Sequence, residues 1–290
     1  MNTEQFKQWR ESYKTTNLKK PLIMGVLNVT PDSFSDGGLY YQPEQALKQA
    51  HLMIAAGADL IDIGGESTKP GALTVSCEEE SARVIPVFKQ LTRESEICLS
   101  IDTRKAALMR DAVYAGASII NDISGFRSED SLAMAAELNV PLCIMHMQRD
   151  PQTMQSNPSY ERDVVDEINS FFEQRITACQ AAGIKRTNII LDPGFGFGKT
   201  VEHNLRIVNQ IAQFSKHKLP IMLGVSRKST LGAVLNTPVD QRLAGGLAVA
   251  VFAALQGVAI IRTHDVAETN QALTMVQAIN KMGQNKEAGA

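Results

Sequence analysis

Short uninterrupted apolar runs alternate along the chain with longer stretches in which apolar residues return at helical spacing. Eight runs, at 22–27, 60–63, 98–101, 118–120, 141–145, 188–191, 221–225 and 258–261, have the length and continuity of strands buried on both faces. Between them, segments such as 44–56, 78–90, 105–115 and 164–182 carry Ala, Leu, Glu and Lys on a helical period. Three of these segments close with a glycine before the next strand, at Gly57, Gly116 and Gly183, where a helix characteristically ends in a left-handed turn. Eight strand and helix units in 290 residues predict an α/β fold, a single (β/α)8 TIM barrel over residues 21–282. Residues 1–20 read as a short helical extension and 283–290 as a polar tail. An open doubly wound sheet is the alternative, and the lack of any linker or compositional break counts against it.

Residues 243–261, LAGGLAVAVFAALQGVAII, are apolar for about the length of a membrane-spanning helix. Gln256-Gly257 interrupts them, so the segment reads as helix, turn and buried strand. Charge excludes another class: 29 Lys and Arg against 31 Asp and Glu give a net charge of -2, with no long basic run for nucleic acid. Cys77, Cys98, Cys143 and Cys179 lie far apart, without CxxC or zinc spacing, as expected of reduced thiols in a cytoplasmic protein. The N-terminus is polar and mixed in charge, without a signal or transit pattern.

A barrel of this kind collects its chemistry where strands end. After the eight runs come Asn28, the stretch GGESTK at 64–69, Asp102-Thr-Arg104, Asn121-Asp122, His146, Asp192, Ser226-Arg-Lys-Ser229 and Arg262-Thr-His264. Any one of these alone has a helix-capping explanation. Together, carboxylates, amides and cations at one mouth make a site for a polar ligand with an anionic part. The stretch LDPGFGFGKT at 191–200 looks like a phosphate loop, yet Pro193 stands where a Walker A loop needs its first glycine. The glycine spacing also fails the dinucleotide pattern. The stretch reads instead as a glycine-rich turn after a strand, with Asp192 aimed at a ligand or capping a helix that begins near Val201.

The motifs MGVLNVTPDSFSDGG (24–38), DIGGESTKPGA (62–72), SIDT (100–103), INDISGF (120–126), MHMQ (145–148), LDPGFGFGK (191–199), SRKS (226–229) and IIRTHDV (260–266) resemble the bacterial dihydropteroate synthase family. The resemblance implies a transferase that joins 6-hydroxymethyl-7,8-dihydropterin diphosphate to p-aminobenzoate and releases pyrophosphate. It further implies Mg²⁺, a homodimer, and sulfonamides as competing ligands. By the same resemblance Thr68, Asp102, Asn121 and Asp192 hold the pterin, Met145 walls it, and Lys228 reaches both ring and incoming amine. Asn28, Ser67, Lys69, Arg262, Thr263 and His264 are implied at the diphosphate, with Asn28 as metal ligand and Arg262 also against the pterin face. Phe34, Pro70, Phe197 and Ser229 are implied along the p-aminobenzoate path, and Lys228, Arg262 and His264 as the catalytic groups.

Lys69 replaces the family's usual arginine, and Asp-Thr-Arg-Lys-Ala replaces Asp-Thr-Ser-Lys-Pro, which puts Arg104 near the mouth. Two other functions share part of the pattern. A corrinoid-type pterin methyltransferase has no need of Ser226–Ser229 or of Arg262–His264, whereas a non-catalytic pterin-binding relative is not separated by motif alone, although every group expected for the chemistry is present.

Overall fold

The computed structural model describes residues 1–15, 20–30, 43–67 and 72–287. Its strands β1 (Leu22–Asn28), β2 (Leu60–Gly64), β3 (Cys98–Asp102), β4 (Ile119–Asp122), β5 (Leu142–Met145), β6 (Ile189–Asp192), β7 (Met222–Gly224) and β8 (Ile260–Thr263) lie on the eight apolar runs. They form one parallel sheet in the order β6-β5-β4-β3-β2-β1-β8-β7. A bridge between Leu191 and Ile221 joins the two outermost strands, and the Leu191 N–H donates to the Pro220 carbonyl at 3.0 Å. The sheet thus closes into the expected (β/α)8 barrel. Several strands run one or two residues past the apolar run, so that Asn28, Asp102, Asp122 and Asp192 are themselves strand residues.

Strand pleating sorts the side chains into two cores. Ile23, Leu27, Ile61, Ile63, Leu99, Ile101, Ile120, Leu142, Ile144, Ile189, Leu191, Leu223 and Ile261 point outward into one large cluster. The helices α2 (Pro43–Ala55), α3 (Cys77–Glu94), α4 (Ala106–Tyr114), α5 (Glu129–Leu138), α6 (Val164–Ala181), α7 (Val201–Asn209), α8 (Ser229–Leu235), α9 (Leu243–Leu255) and α10 (Val266–Glu287) surround the barrel. The alternate residues Met24, Leu60, Cys98, Ile119, Cys143, Ile190, Met222 and Ile260 point inward and fill the lower barrel. Helix α1 (Thr3–Glu11) plugs that lower end: Phe6 is buried among these residues, and Arg10 Nη1 donates to Asn188 Oδ1 at 2.8 Å.

The 243–261 segment folds as α9, a turn and β8, and among the described residues no helix is long and apolar enough to cross a membrane. Gly116 closes α4 at φ 115, and a Cβ there would lie 2.1 Å from the Thr92 hydroxyl, so both conformation and space demand glycine. Asp122 faces outward. It accepts from the N–H groups of Ser124 (2.7 Å) and Phe126 (2.9 Å) and from the Ser124 hydroxyl (2.8 Å), so it builds the loop after β4.

Candidate active site

The same inward alternation that fills the lower barrel with apolar groups continues upward as Asp62 on β2, Asp102 on β3, Asn121 on β4, Met145 on β5, Asp192 on β6 and Arg262 on β8. Register places Asp102 beside Asn121 and Met145 beside Asp192. Asp102, Asn121, Met145, Asp192, Phe197, Lys228 and Arg262, all expected from the sequence, line one cavity together with Ile123, Gly194, Phe195 and Gly224. No bulky side chain fills it at β7, where the wall is Gly224.

Arg262 is held twice. Its Nε donates to Asp62 Oδ2 at 2.7 Å and its Nη2 to Asp102 Oδ2 at 2.8 Å. Burial works against its charge, but Asp62 and then Asp102 outweigh that and raise its pKa further. Burial pushes the Asp102 carboxyl up to about 7, with the pull of Arg262 opposed by the neighbouring Asp62. Asp192 is also raised by burial, offset first by the Gly194 N–H, which donates to its Oδ1 at 2.7 Å. The Lys228 ammonium lies 3.9 Å over the Phe197 ring, and burial, helped by Arg262, lowers it to about 8.

The loop after β6 leaves no phosphate cradle. The N–H groups of Gly194, Gly196 and Phe197 donate to Asp192 Oδ1, Asn204 Oδ1 and the Gly194 carbonyl. Thr200, not Asp192, caps α7, through a hydroxyl that accepts from the His203 N–H. The loop instead wraps its own lysine: Lys199 Nζ lies 3.0 Å from His146 Nδ1 and donates to the carbonyls of Phe197 (3.0 Å) and His146 (3.3 Å). Only 3 % of Lys199 is exposed, and burial lowers it to about 7. Gly194 sits so close to β5 that a Cβ would lie 1.9 Å from the His146 carbonyl oxygen.

Above the cavity, Asn28 Nδ2 faces His264 Nε2 at 3.5 Å, and His264 Nδ1 meets Ser226 Oγ at 3.1 Å. The Ser226 hydroxyl donates to Asp265 Oδ2 at 3.1 Å. Burial first, then Arg262 and Arg227, lower His264 to about 4, so its ring is neutral at pH 7. His264, expected at the diphosphate, thus brings a polar ring nitrogen and not a cation.

The side chain of Thr263, also expected at the diphosphate, is turned toward the outer helices. Its hydroxyl accepts from the Asp265 N–H at 3.1 Å and lies 3.2 Å from the Thr269 hydroxyl, facing α10. The pleat that turns Arg262 inward turns its neighbour out, so the Thr263 side chain does not line the cavity.

Ser229 is exposed at the start of α8 and does not line the cavity, and Ser67 lies at the end of the described part of its loop. Arg104 and Lys105 approach Glu66 Oε2 at 3.5 and 3.4 Å, and Lys105 also pairs with buried Glu80, so Arg104 faces the base of the second loop. The expectations for Phe34, Thr68, Lys69 and Pro70 lie outside the described residues.

Sequence reasoning missed Asp62, Lys199 and the Ser226–Asp265 pair. Asp62 had a readable signal, being a carboxylate in the middle of an apolar strand run. Lys199 had none, because its side-chain neighbour His146 comes from a different strand end.

Residues 24–264 match the family model of pterin binding enzymes. Dihydropteroate synthase of Escherichia coli is 48% identical over 93% of this chain and 95% of its own length. The chain belongs to the pterin-binding enzymes, as a dihydropteroate synthase. A crystal structure of the Yersinia pestis synthase with a sulfonamide drug superposes with a TM-score of 0.87 at 48% identity, covering 91% of this chain and 96% of that one. The Xanthomonas albilineans synthase in complex with 7,8-dihydropteroate gives 0.83 at 40% identity, covering 91% and 95%. The synthase is a transferase of folate biosynthesis, and its reaction condenses the dihydropterin diphosphate with p-aminobenzoate.

Proposed function

We propose that the barrel mouth carries out this condensation with the pterin seated on Asp102, Asn121 and Asp192 and the diphosphate directed toward Arg262, His264 and Asn28. The observation that carries the reading is the buried Asp192 carboxylate. One oxygen is held by the Gly194 N–H, which leaves the other directed at the cavity as an acceptor for a ring edge rich in N–H donors. Met145 and Phe197 give that ring apolar walls.

Negative charge grows on the diphosphate as the methylene C–O bond breaks, and the bonding pair leaves with pyrophosphate. Arg262 stays cationic beside that charge, and Lys228, within the same cavity, meets both the ring and the incoming amine. The methylene carbon, conjugated with the electron-rich dihydropterin, then accepts the lone pair of the arylamine, which forms the C–N bond and releases its proton. The amine is neutral at pH 7, so no strong base is required, and the protein contributes mainly position and charge. Ser67 and Lys69 on the second loop are assigned to the diphosphate, Thr68 to the pterin, and Phe34, Pro70, Phe197 and Ser229 to the p-aminobenzoate path.

Mg²⁺ fits the donor set. Among the described residues no group of three His, Cys, Asp or Glu gathers to cage an ion. A hard cation held mostly by diphosphate oxygens and water needs only a single protein oxygen, and the Asn28 amide nitrogen faces His264, which leaves its oxygen for the mouth. When bound, the ion would offset charge on the diphosphate.

A homodimer is assigned to the C-terminal half, where Leu243, Phe252, Leu255, Met275, Ile279 and Met282 are exposed apolar residues. Sulfonamides are assigned as competitors of p-aminobenzoate, and the cytoplasm as the compartment, in keeping with four unpaired cysteines. The central test is pyrophosphate release from the pterin diphosphate with and without p-aminobenzoate. Release coupled to 7,8-dihydropteroate formation supports the assignment, and binding without release would leave only a pterin-binding protein.

A further inference from the structure

Asp62 lies in the middle of β2, fully buried, and lines no part of the cavity. Register sets it level with Ser100 on β3, while Asn121 on β4 is level with Asp102, two residues higher. It meets two of the lining residues, Arg262 and Asn121, without lining the cavity itself. Its Oδ2 accepts from Arg262 Nε at 2.7 Å and from Asn121 Nδ2 at 2.9 Å.

An amide side chain has an acceptor end and a donor end of almost equal size, and shape alone does not choose between them. A carboxylate only accepts. With Asp62 against it, Asn121 must turn its nitrogen toward that carboxylate, which leaves Oδ1 buried and without a partner among the described residues. The reversed amide would set Oδ1 against the Asp62 oxygen, two acceptors with no hydrogen between them. A buried acceptor without a donor is costly, so the ligand has to supply one.

From this we infer that Asp62 is a positioning residue that sets the hydrogen-bond polarity of the pterin site by fixing the Asn121 amide, and so makes the site select rings with an amino edge. The free Asp192 oxygen is the second acceptor in the same cavity, and a ring amino group has two hydrogens to offer. A ring carrying an oxo group at that position faces acceptors with an acceptor.

The test compares 6-hydroxymethylpterin with 6-hydroxymethyllumazine, which has oxygen in place of the amino group, by calorimetry on the intact enzyme. Asp62→Asn retains an oxygen where Oδ2 stands, so it keeps Asn121 oriented and keeps the pterin-to-lumazine affinity ratio within about threefold of wild type. Asp62→Val removes the acceptor, frees the amide to reverse, and reduces the ratio about tenfold or more, since one matched hydrogen bond is at stake. In an Asn121→Ala background Asp62→Val leaves the ratio unchanged.

Loss of stability or of Arg262 pairing alone would weaken both ligands together and leave the ratio intact. A ratio unaltered by Asp62→Val, or reduced equally by Asp62→Asn, overturns the inference. If Asp62→Val does not fold, ¹⁵N-asparagine labelling of the ligand-free wild type decides: one slowly exchanging side-chain amide, absent in Asn121→Ala, is expected, and its absence overturns the inference as well.

Discussion

Asp192 and Lys228 show how one cavity gives two charged residues separate tasks. In the proposed binding mode Asp192 offers an acceptor to a donor edge, and Asp192→Asn replaces one acceptor with a donor while keeping the volume. Pterin affinity is expected to fall by about 2 to 4 kcal/mol with an unchanged melting temperature. Undiminished binding by calorimetry would remove Asp192 from the ring. Lys228 is already lowered to about 8 by burial and by Arg262, so the free enzyme loses this cation as pH rises through that value. Because kcat/KM reports the free enzyme, kcat/KM for the pterin diphosphate is expected to fall above pH of about 8 in the wild type. In Lys228→Arg the fall moves beyond about pH 10, since a guanidinium stays charged there. A wild-type profile that stays level through this range would show that the site does not use the Lys228 charge.

At the scale of elements, all eight strands were legible because a parallel barrel strand is apolar on both faces and its end is marked by a polar residue. The polar residues that line the cavity were legible for the same reason, Asp102 and Asp192 being the last residues of their strands. Two things were not. Thr263 stands in a motif that reads as continuous, and only the pleat of β8 shows that alternate members face opposite cores. The loop after β6 reads as a run of glycines with a lysine, but what that lysine touches depends on β5, 53 residues away. The linkage of Lys199 supplies the test. Its pKa is lowered in the fold by burial to about 7, so the unfolded chain holds a proton that the folded one releases between that pH and the ordinary lysine value. Stability from this group therefore rises with pH above about 7, by at most about 1.4 kcal/mol per unit, and is flat below. Lys199→Met removes the term, so denaturant titrations from pH 7 to 9 should show a shallower rise in stability than the wild type. Equal slopes would mean that Lys199 keeps its proton throughout.

The whole molecule divides its labour between two ends of one barrel, with the chemistry at the upper mouth and α1 sealing the lower end. Phe6 is 1 % exposed and belongs to the cluster of inward residues that includes Cys98 and Ile119, two inward positions below Asp102 and one below Asn121. Phe6→Ala leaves a cavity there and is expected to cost about 3 kcal/mol of stability, read by urea unfolding, with kcat and KM unchanged at a temperature where the variant is folded. His264 is the converse case. Its ring is neutral and held on Ser226, so removing it leaves no buried charge unpaired and should alter the melting temperature little. Its nitrogen faces Asn28, on the side assigned to the diphosphate, where charge accumulates only as the C–O bond breaks. His264→Ala should then lower kcat by an amount equivalent to about 2 to 4 kcal/mol while sparing affinity for 6-hydroxymethylpterin, which has no diphosphate. Mg²⁺ should strengthen binding of the diphosphate ester and leave that of the bare pterin unaltered. If His264→Ala abolishes bare-pterin binding and leaves pyrophosphate release intact, the ligand lies in the mouth the other way round, with its ring toward β1 and β8 and its diphosphate toward Asp192.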